Sequence, residues 1–117
     1  MSVEKRFALR SDQIKPLVTN GGGCIAPDTI TVEGRKVAFF YREPGHNDLD
    51  SGWRFFAGGE SDEYLDDARN SGVYDVNTIA NYDPEIVPLL DAPVGSAFER
   101  EGGVGPFSPV HDFAPSE

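Results

Sequence analysis

The chain has 117 residues, of which 38% are hydrophobic and 11% aromatic, and its formal net charge at pH 7 is −10. This apolar content exceeds that of disordered chains, and one domain of this length can bury a core without a disulfide or a structural metal. The lone cysteine excludes an intramolecular disulfide, and the lack of an apolar leader or of a run of about 20 apolar residues predicts a cytoplasmic protein.

The first third of the chain predicts loops and short strands. Residues 3–9 fit an edge strand or a short helix, with Ser11 as a candidate N-cap, and the glycines after Asn20 predict a loop. Residues 24–26 predict a strand that Pro27 ends. Residues 29–32 are rich in β-branched side chains and predict a hairpin with the strand after them, although Asp28 is also a suitable cap for one helical turn there.

The centre of the chain predicts two paired strands. Residues 37–42 and 52–57 are each apolar on both faces, which is typical of central strands covered on both sides. A polar, turn-rich loop over residues 43–50 joins them. We therefore expect the two strands to pair antiparallel.

The remaining elements are short. Ser61 is a candidate N-cap for a helix over residues 62–68, residues 73–76 predict a strand, and residues 77–80 one helical turn. Asp83 and Pro84 fit the start of a helix over residues 85–91, and residues 96–100 a last strand. The sequence thus predicts an α+β fold, a small antiparallel β-sheet with short helices packed against it, as a single domain over residues 1–100. Residues 101–117 predict an irregular Gly/Pro-rich tail, whose Phe107 and Phe113 are expected to pack on the body.

Several motifs in this order resemble a known bacterial family. They are the strings YREP at residues 41–44, DSGWRF at 50–55, GESDEY at 59–64, YDVNTIA at 74–80 and PVGSAF at 93–98. Over residues 22–100 the chain resembles the domain of unknown function 2185, also called the immunity protein 33 domain. That resemblance implies a small cytoplasmic α+β protein that neutralises a bacterial polymorphic toxin by binding it, with no catalytic residue and no cofactor.

The charge distribution is compatible with such a partner. Residues 1–42 carry a net charge of +3, whereas residues 43–117 carry −13. A negative surface repels nucleic acid and anionic membranes and attracts basic proteins, such as a basic toxin domain. Solubility alone is an equally good explanation of the acidity.

Candidate partner-binding residues combine an aromatic anchor with nearby carboxylates. Trp53 and Tyr64 also fit a core position, and Arg54 also fits an ion pair with one of the carboxylates. The candidates are Asp48, Asp50, Trp53, Arg54, Glu60, Asp62, Glu63 and Tyr64.

Two other classes of function stay open. Glu60 and Asp62 have the chemistry of an acid–base pair, with His46 or His111 as assistants, but no nucleophile lies in a recognised context, so we expect no enzyme. Asp48, Asp50 and the carboxylates after Gly59 offer oxygen ligands for Ca²⁺, but the EF-hand spacing is missing. The alternative function is therefore a housekeeping domain that binds a metal ion or a small ligand, or a small enzyme.

Overall fold

A computed structural model describes residues 5–19 and 21–110 of the chain. Asn20, His111 and Phe113, for which the sequence suggested roles, lie outside the described residues. The strands are β1 Gly23–Pro27, β2 Phe39–Arg42, β3 Asp50–Phe56, β4 Ser71–Asp75, β5 Ala97–Glu99 and β6 Ser108–Pro109. The α-helices are α1 Asp28–Thr31, α2 Asp62–Asp66 and α3 Val76–Tyr82, and 3₁₀ turns cover Ser11–Gln13, Ala68–Asn70, Pro84–Leu89 and Glu101–Gly103.

The strands form one six-stranded sheet in the order β4-β1-β3-β2-β5-β6. The predicted antiparallel pairing of β2 with β3 is confirmed, with Phe40 opposite Phe55. One pairing differs from the prediction: β1 runs parallel to β3, so the sheet is mixed and not wholly antiparallel. A parallel pair needs a long connection, which α1 and β2 supply here. The α+β class is confirmed.

The predicted hairpin over residues 29–32 is wrong and the helical alternative is correct, except that Pro27 and not Asp28 occupies the N-cap position; Asp28 is the first residue of the helix. The Val32 N–H donates to the Asp28 carbonyl at 2.8 Å, and the Gly34 N–H donates to Ile30 at 3.0 Å. Ile30 and Thr31 are fully buried in this turn. Burial of these side chains in the folded protein outweighs the weak preference of β-branched residues for strands. The strand that follows, β2, begins at Phe39.

The hydrophobic core lies on one face of the sheet. Trp53, Phe40 and Phe55 point to this face, and the Phe40 ring centroid lies 5.3 Å from the centroids of both other rings. Ile30 of α1 and Ile79 of α3 are fully buried in the same cluster. The core therefore joins the central strands to the helices α1 and α3.

A buried ion pair lies beside the end of β5. The side chains of Asp83 and Arg100 are each 1% exposed and bond to each other. Asp83 Oδ2 also accepts from the Val37 N–H at 3.0 Å, and Arg100 Nε donates to the Val37 carbonyl at 2.9 Å. Glu85 pairs with Arg100 at 2.9 Å from a more exposed position. The pair thus anchors the chain before β2 to the end of β5.

An N-terminal segment lies along α3 without regular structure at residues 5–9, where a strand or helix was predicted. Two asparagines of α3 hold its backbone: the Lys15 N–H donates to Asn81 Oδ1 at 2.9 Å, and Asn77 Nδ2 donates to the Lys15 carbonyl at 2.9 Å. Ser11 begins a 3₁₀ turn, but the N-cap position belongs to Arg10.

The helix caps of the second half follow the predictions. Ser61 caps α2 by accepting from the Tyr64 N–H at 3.1 Å, and Asp83 accepts from the Glu85 N–H at 3.2 Å ahead of a 3₁₀ turn.

The Phe107 ring packs edge-on against Phe40 at 5.0 Å, as expected for the tail. The domain boundary at residue 100 stays a prediction. In the described part of the chain no helix has the length and apolarity of a membrane span.

Candidate functional site

The eight predicted site residues lie along β3 and beyond its two ends. Asp48 and Asp50 lie at the start of the strand, whereas Glu60, Asp62 and Glu63 follow its end. A strand of seven residues spans about 20 Å, so the acidic residues form two groups and not one.

Arg54 occupies a buried position between two carboxylates at the start of β3. Its Nη2 lies 2.8 Å from Asp50 Oδ2, and its Nε lies 2.7 Å from Glu43 Oε2. Asp50 also accepts hydrogen bonds from the backbone of His46 and Gly52, each at 2.9 Å. The hydrogen bonds from Arg54, assisted by these two N–H groups, hold the pKa of Asp50 well below its ordinary value. The ion pair foreseen for Arg54 is thus present, and each oxygen of Asp50 accepts one hydrogen bond from Arg54 and one from the backbone.

Trp53 lies in the core and is 1% exposed. Its Nε1 donates to the Leu90 carbonyl at 3.3 Å, and the Arg42 guanidinium lies 5.4 Å from its ring centroid. The core alternative therefore describes its position, and a direct contact with a partner would require the side chain to leave it. The role of Trp53 and Arg54 in binding stays a prediction, but their positions are those of internal support.

Glu60 binds its own loop. Its Oε2 accepts from Thr29 Oγ1 at 2.7 Å and from the Ala57 N–H at 2.9 Å, while Oε1 accepts from the Gly58 N–H at 2.8 Å. The carboxylate therefore joins the turn after β3 to α1. Sequence reasoning missed this role; the bond from Thr29, 31 residues away along the chain, forms only in the folded protein.

Helix α2 presents free carboxylates. Asp62, Glu63 and Asp66 are exposed and form no ion pair with any residue that the structure describes. Tyr64 is partly buried, and burial together with the nearby charges raises its pKa. Residues 60–69 contain five carboxylates and one basic residue, Arg69, which pairs with Asp67 at 2.9 Å. This short helix is therefore strongly negative.

An apolar cleft at the start of β3 was not foreseen. It has a volume of about 300 Å³ and is lined by the side chains of Ile25, Leu49 and Val73, with His46 and Asp50 at its polar side. Leu49 is 82% exposed and Val73 is 78% exposed. Leu49 is the one large aliphatic residue of the polar loop 43–50, which is a signal that sequence analysis could have used.

Strand β4 connects α2 to the cleft. The chain passes from α2 through Ala68–Asn70 into Ser71, and β4 ends at Asp75, opposite Gly23 of β1. A strand of five residues spans about 16 Å, so the carboxylates of α2 and the cleft lie toward opposite ends of it. We call this surface, made of α2, β4 and the cleft, the β4 flank.

The described residues offer little for catalysis. Burial raises the pKa of the Cys24 thiol far above its ordinary value, so the thiol stays protonated and a poor nucleophile. Within residues 5–19 and 21–110 no three His, Cys, Asp or Glu side chains are grouped to hold a metal ion. Of the acid–base pair considered from the sequence, Glu60 accepts three hydrogen bonds from Thr29, Ala57 and Gly58, and Asp62 is exposed to water without the shielded surroundings that tune such a pair.

A small α+β domain with a charged helix at one end of β4 and exposed aliphatic side chains toward the other is compatible with a protein-binding module. Sequence comparison agrees: the profile of the Immunity protein Imm33 domain matches residues 24–110. The chain therefore belongs to the Imm33 immunity protein family, as its resemblance indicated. Comparison with curated proteins and with solved structures gave no match.

Family membership sets the class of function. The chain has an immunity-protein role, and the family implies a toxin protein as its partner. It also indicates a non-enzymatic role. The match covers the sheet except for Gly23 at the start of β1, together with the three α-helices that the structure describes, so α2, β4 and the cleft residues Ile25, Leu49 and Val73 lie within the family domain.

Proposed function

We propose that this protein neutralises a bacterial toxin in the cytoplasm by binding it in a stoichiometric complex through the β4 flank. One observation carries the choice of surface: Asp62, Glu63 and Asp66 of α2 are exposed and uncompensated, and the same flank bears the exposed Leu49 and Val73. Complementary charge raises the rate of encounter, and desolvated apolar side chains supply most of the affinity.

The carboxylates of the flank favour a basic partner. Residues 60–69 carry a net charge of −4, and Asp48 and Asp75 are exposed at the far end of β4. Toxins that act on nucleic acid need a positive surface to hold phosphates. An acidic cover over such a surface blocks access of the substrate, which is a sufficient mechanism of neutralisation without any chemistry.

The size of the flank suits a specific complex. A standard interface buries about 800 Å² on each partner, which corresponds to a patch about 30 Å across. β4 and the loops at its ends extend over about 20 to 25 Å by strand geometry. A single toxin domain can therefore contact α2 and the cleft at once.

The test is capture of the partner from lysate of the native cell at low and at moderate salt. The bait is the tagged protein, compared with Asp62→Lys/Glu63→Lys, which reverses two charges on α2. A matched control, Asp91→Lys/Glu101→Lys, makes the same change in net charge at two exposed positions outside the flank. The captured protein is identified, expressed alone, and tested for toxicity with and without co-expression of each variant.

We expect a stoichiometric partner that is toxic alone and harmless when co-expressed with the wild-type or control protein. The α2 variant should retain less partner at low salt, and the deficit should shrink at moderate salt because screening weakens the charge interaction that distinguishes the variant from the wild-type protein. Absence of a toxic partner at either salt would refute the proposed function. Equal capture by the α2 and control variants would refute the acidic surface as its site.

A further inference from the structure

Strand β4 is an outer edge of the sheet. It pairs with β1 on one side and, within the part of the chain that the structure describes, with no strand on the other. The Val76 N–H donates to the Gly22 carbonyl at 2.8 Å, which fixes the phase of the antiparallel ladder. Gly72 and Tyr74 therefore direct their backbone groups toward β1, and the N–H and C=O of Val73 point outward.

This edge is protected at one end only. Proteins shield edge strands with proline, lysine, bulges or very short strands. β4 has five residues, SGVYD, without proline; the Lys5 side chain donates to the Ser71 carbonyl at 3.3 Å, whereas Val73 is 78% exposed. The opposite edge, β6, has two residues and ends in Pro109. β4 is thus the edge that offers the backbone N–H and C=O of Val73 to an incoming chain.

The side chains beside the edge define what would fit. Val73 and Asp75 stand on the face that carries Ile25, since Val73 is opposite Ile25 and Asp75 opposite Gly23 in the register. The apolar cleft with Leu49 begins at Val73. Directly opposed side chains of paired strands lie about 5 Å apart and interact. An added strand would place an apolar side chain beside Val73 and, two residues away, a basic side chain beside Asp75.

The geometry points to strand addition: the toxin partner docks by pairing an extended segment, which carries an apolar and a basic side chain two positions apart on one face, with the outer edge of β4. This inference rests on the proposed function, and it specifies how the partner engages the β4 flank. Backbone hydrogen bonds from Val73 supply the alignment, and the cleft supplies the apolar contact. The carboxylates of α2 select a basic sequence, assisted by Asp75, which is exposed although its Oδ1 caps α3 by accepting from the Asn77 N–H at 2.9 Å.

The other possible occupant is a second copy of this chain. Pairing of two β4 edges would bring together two molecules that each carry a net charge of −10, with α2 of each near the shared edge. Charge repulsion opposes that arrangement, whereas a basic segment gains from the same charges. The toxin segment is therefore the expected occupant of the β4 edge.

The experiment uses the full chain and a synthetic probe, so that it does not depend on capture of the toxin. The probe is an acetylated hexapeptide with lysine at positions 2 and 6, valine at position 4 and threonine at the other positions, so that lysine and valine share one face of the strand. One version is N-methylated at every second residue, and another has glutamate in place of lysine. Binding is followed by amide chemical shifts and amide exchange of the labelled protein. The variants are Val73→Pro, which removes an outward N–H that the fold does not use, and Val73→Thr, which keeps it.

We expect the peptide to shift and protect the amides of residues 71–75 and to perturb Leu49, with weak affinity. N-methylation of the peptide or Val73→Pro should weaken binding about tenfold or more through loss of backbone hydrogen bonds, whereas Val73→Thr should weaken it about threefold at most. The glutamate peptide should not bind. Sedimentation of the protein without peptide should show a monomer.

Three results would overturn strand addition. The first is equal binding of the N-methylated and unmethylated peptides. The second is binding without protection of the amides of residues 71–75. The third is a dimer of the protein that dissociates in the Val73→Pro variant. The N-methylated peptide tests the inference even where Val73→Pro unfolds the chain, which the melting temperature reports. Since the probe is not the toxin, failure here with successful capture above refutes strand addition alone, and failed capture refutes the proposed function.

Discussion

The carboxylates around the two buried arginines and those on α2 have the same chemistry but opposite surroundings. Arg54 binds Asp50 and Glu43, and Arg100 binds Asp83, all inside the fold. The carboxylates of α2 face water. A carboxylate that is satisfied internally stabilises the fold and has little left to offer a partner. The comparison therefore separates acidic residues that hold the structure from those that are free to bind.

The largest effect should come from the Asp83–Arg100 pair. Asp83→Ala leaves a buried guanidinium without its carboxylate and removes the acceptor of the Val37 N–H, so we expect a loss of about 3 to 5 kcal/mol in the free energy of unfolding. Urea denaturation measures it. The control Asp62→Ala should change stability by less than about 0.5 kcal/mol. Equal losses at the two positions would remove the distinction.

The second effect concerns Arg54. Arg54→Met leaves Asp50 and Glu43 partly buried without their counter-ion, and we expect a loss of about 2 kcal/mol at neutral pH, less than at Asp83 because both carboxylates are nearer to water. Urea denaturation at pH 7, 4 and 2.5 measures it.

This second effect should depend on pH in a definite direction. The Arg54 guanidinium lowers the pKa of Asp50 below its ordinary value of 3.8. Its contribution to stability is therefore fully present above about pH 4 and is lost as the pH falls through the lowered pKa. The difference between wild type and Arg54→Met should shrink on acidification below pH 4. A difference that is constant or grows toward acid would contradict the ion pair as its cause.

Glu60 should have an intermediate effect. Glu60→Ala removes the acceptor for Thr29 Oγ1 and for two N–H groups of the turn after β3, and we expect a loss of about 1 to 2 kcal/mol. Thermal unfolding and amide exchange at Ala57 and Gly58 report it. Glu63→Ala, three residues later and exposed, is the matched control and should leave both measurements unchanged.

The smallest effect should come from the α2 cap. Ser61→Ala removes the acceptor of the Tyr64 N–H and should cost about 1 kcal/mol at most, concentrated in fraying of α2. Chemical shifts of residues 62–66 measure the fraying. Ser61→Asn, which retains a capping oxygen, should restore the helix. If Ser61→Ala leaves those shifts unchanged, the cap does not order the acidic helix.

Local chemistry made much of this fold predictable. The strands around Phe40 and Phe55, the Ser61 cap and the turn at Asp83 each follow from patterns within a few residues. The hairpin over residues 29–32 was wrong because a single buried helical turn and a β-branched strand look alike over four residues. The parallel pairing of β1 with β3 depends on contacts between distant parts of the chain, which periodicity does not encode.

The candidate site was predictable in part. An aromatic residue within an acidic stretch predicts an interface, yet Trp53 lies in the core, and Glu60 is bound by its own loop. The sequence gives the charge of a residue but not the hydrogen-bond donors that the fold places around it. The exposure of Leu49 and Val73 likewise depends on the position of β4 at the edge of the sheet.

The most direct test of the account is the affinity of the purified toxin partner for the wild-type protein, Asp62→Lys/Glu63→Lys and Asp91→Lys/Glu101→Lys, measured by calorimetry. The account predicts one-to-one binding, weakened at least about tenfold by the two reversals on α2 and less than about threefold by the control reversals, with all melting temperatures alike. Equal affinity of the wild-type and α2 variants would contradict it, because the free carboxylates would then play no part in holding the partner.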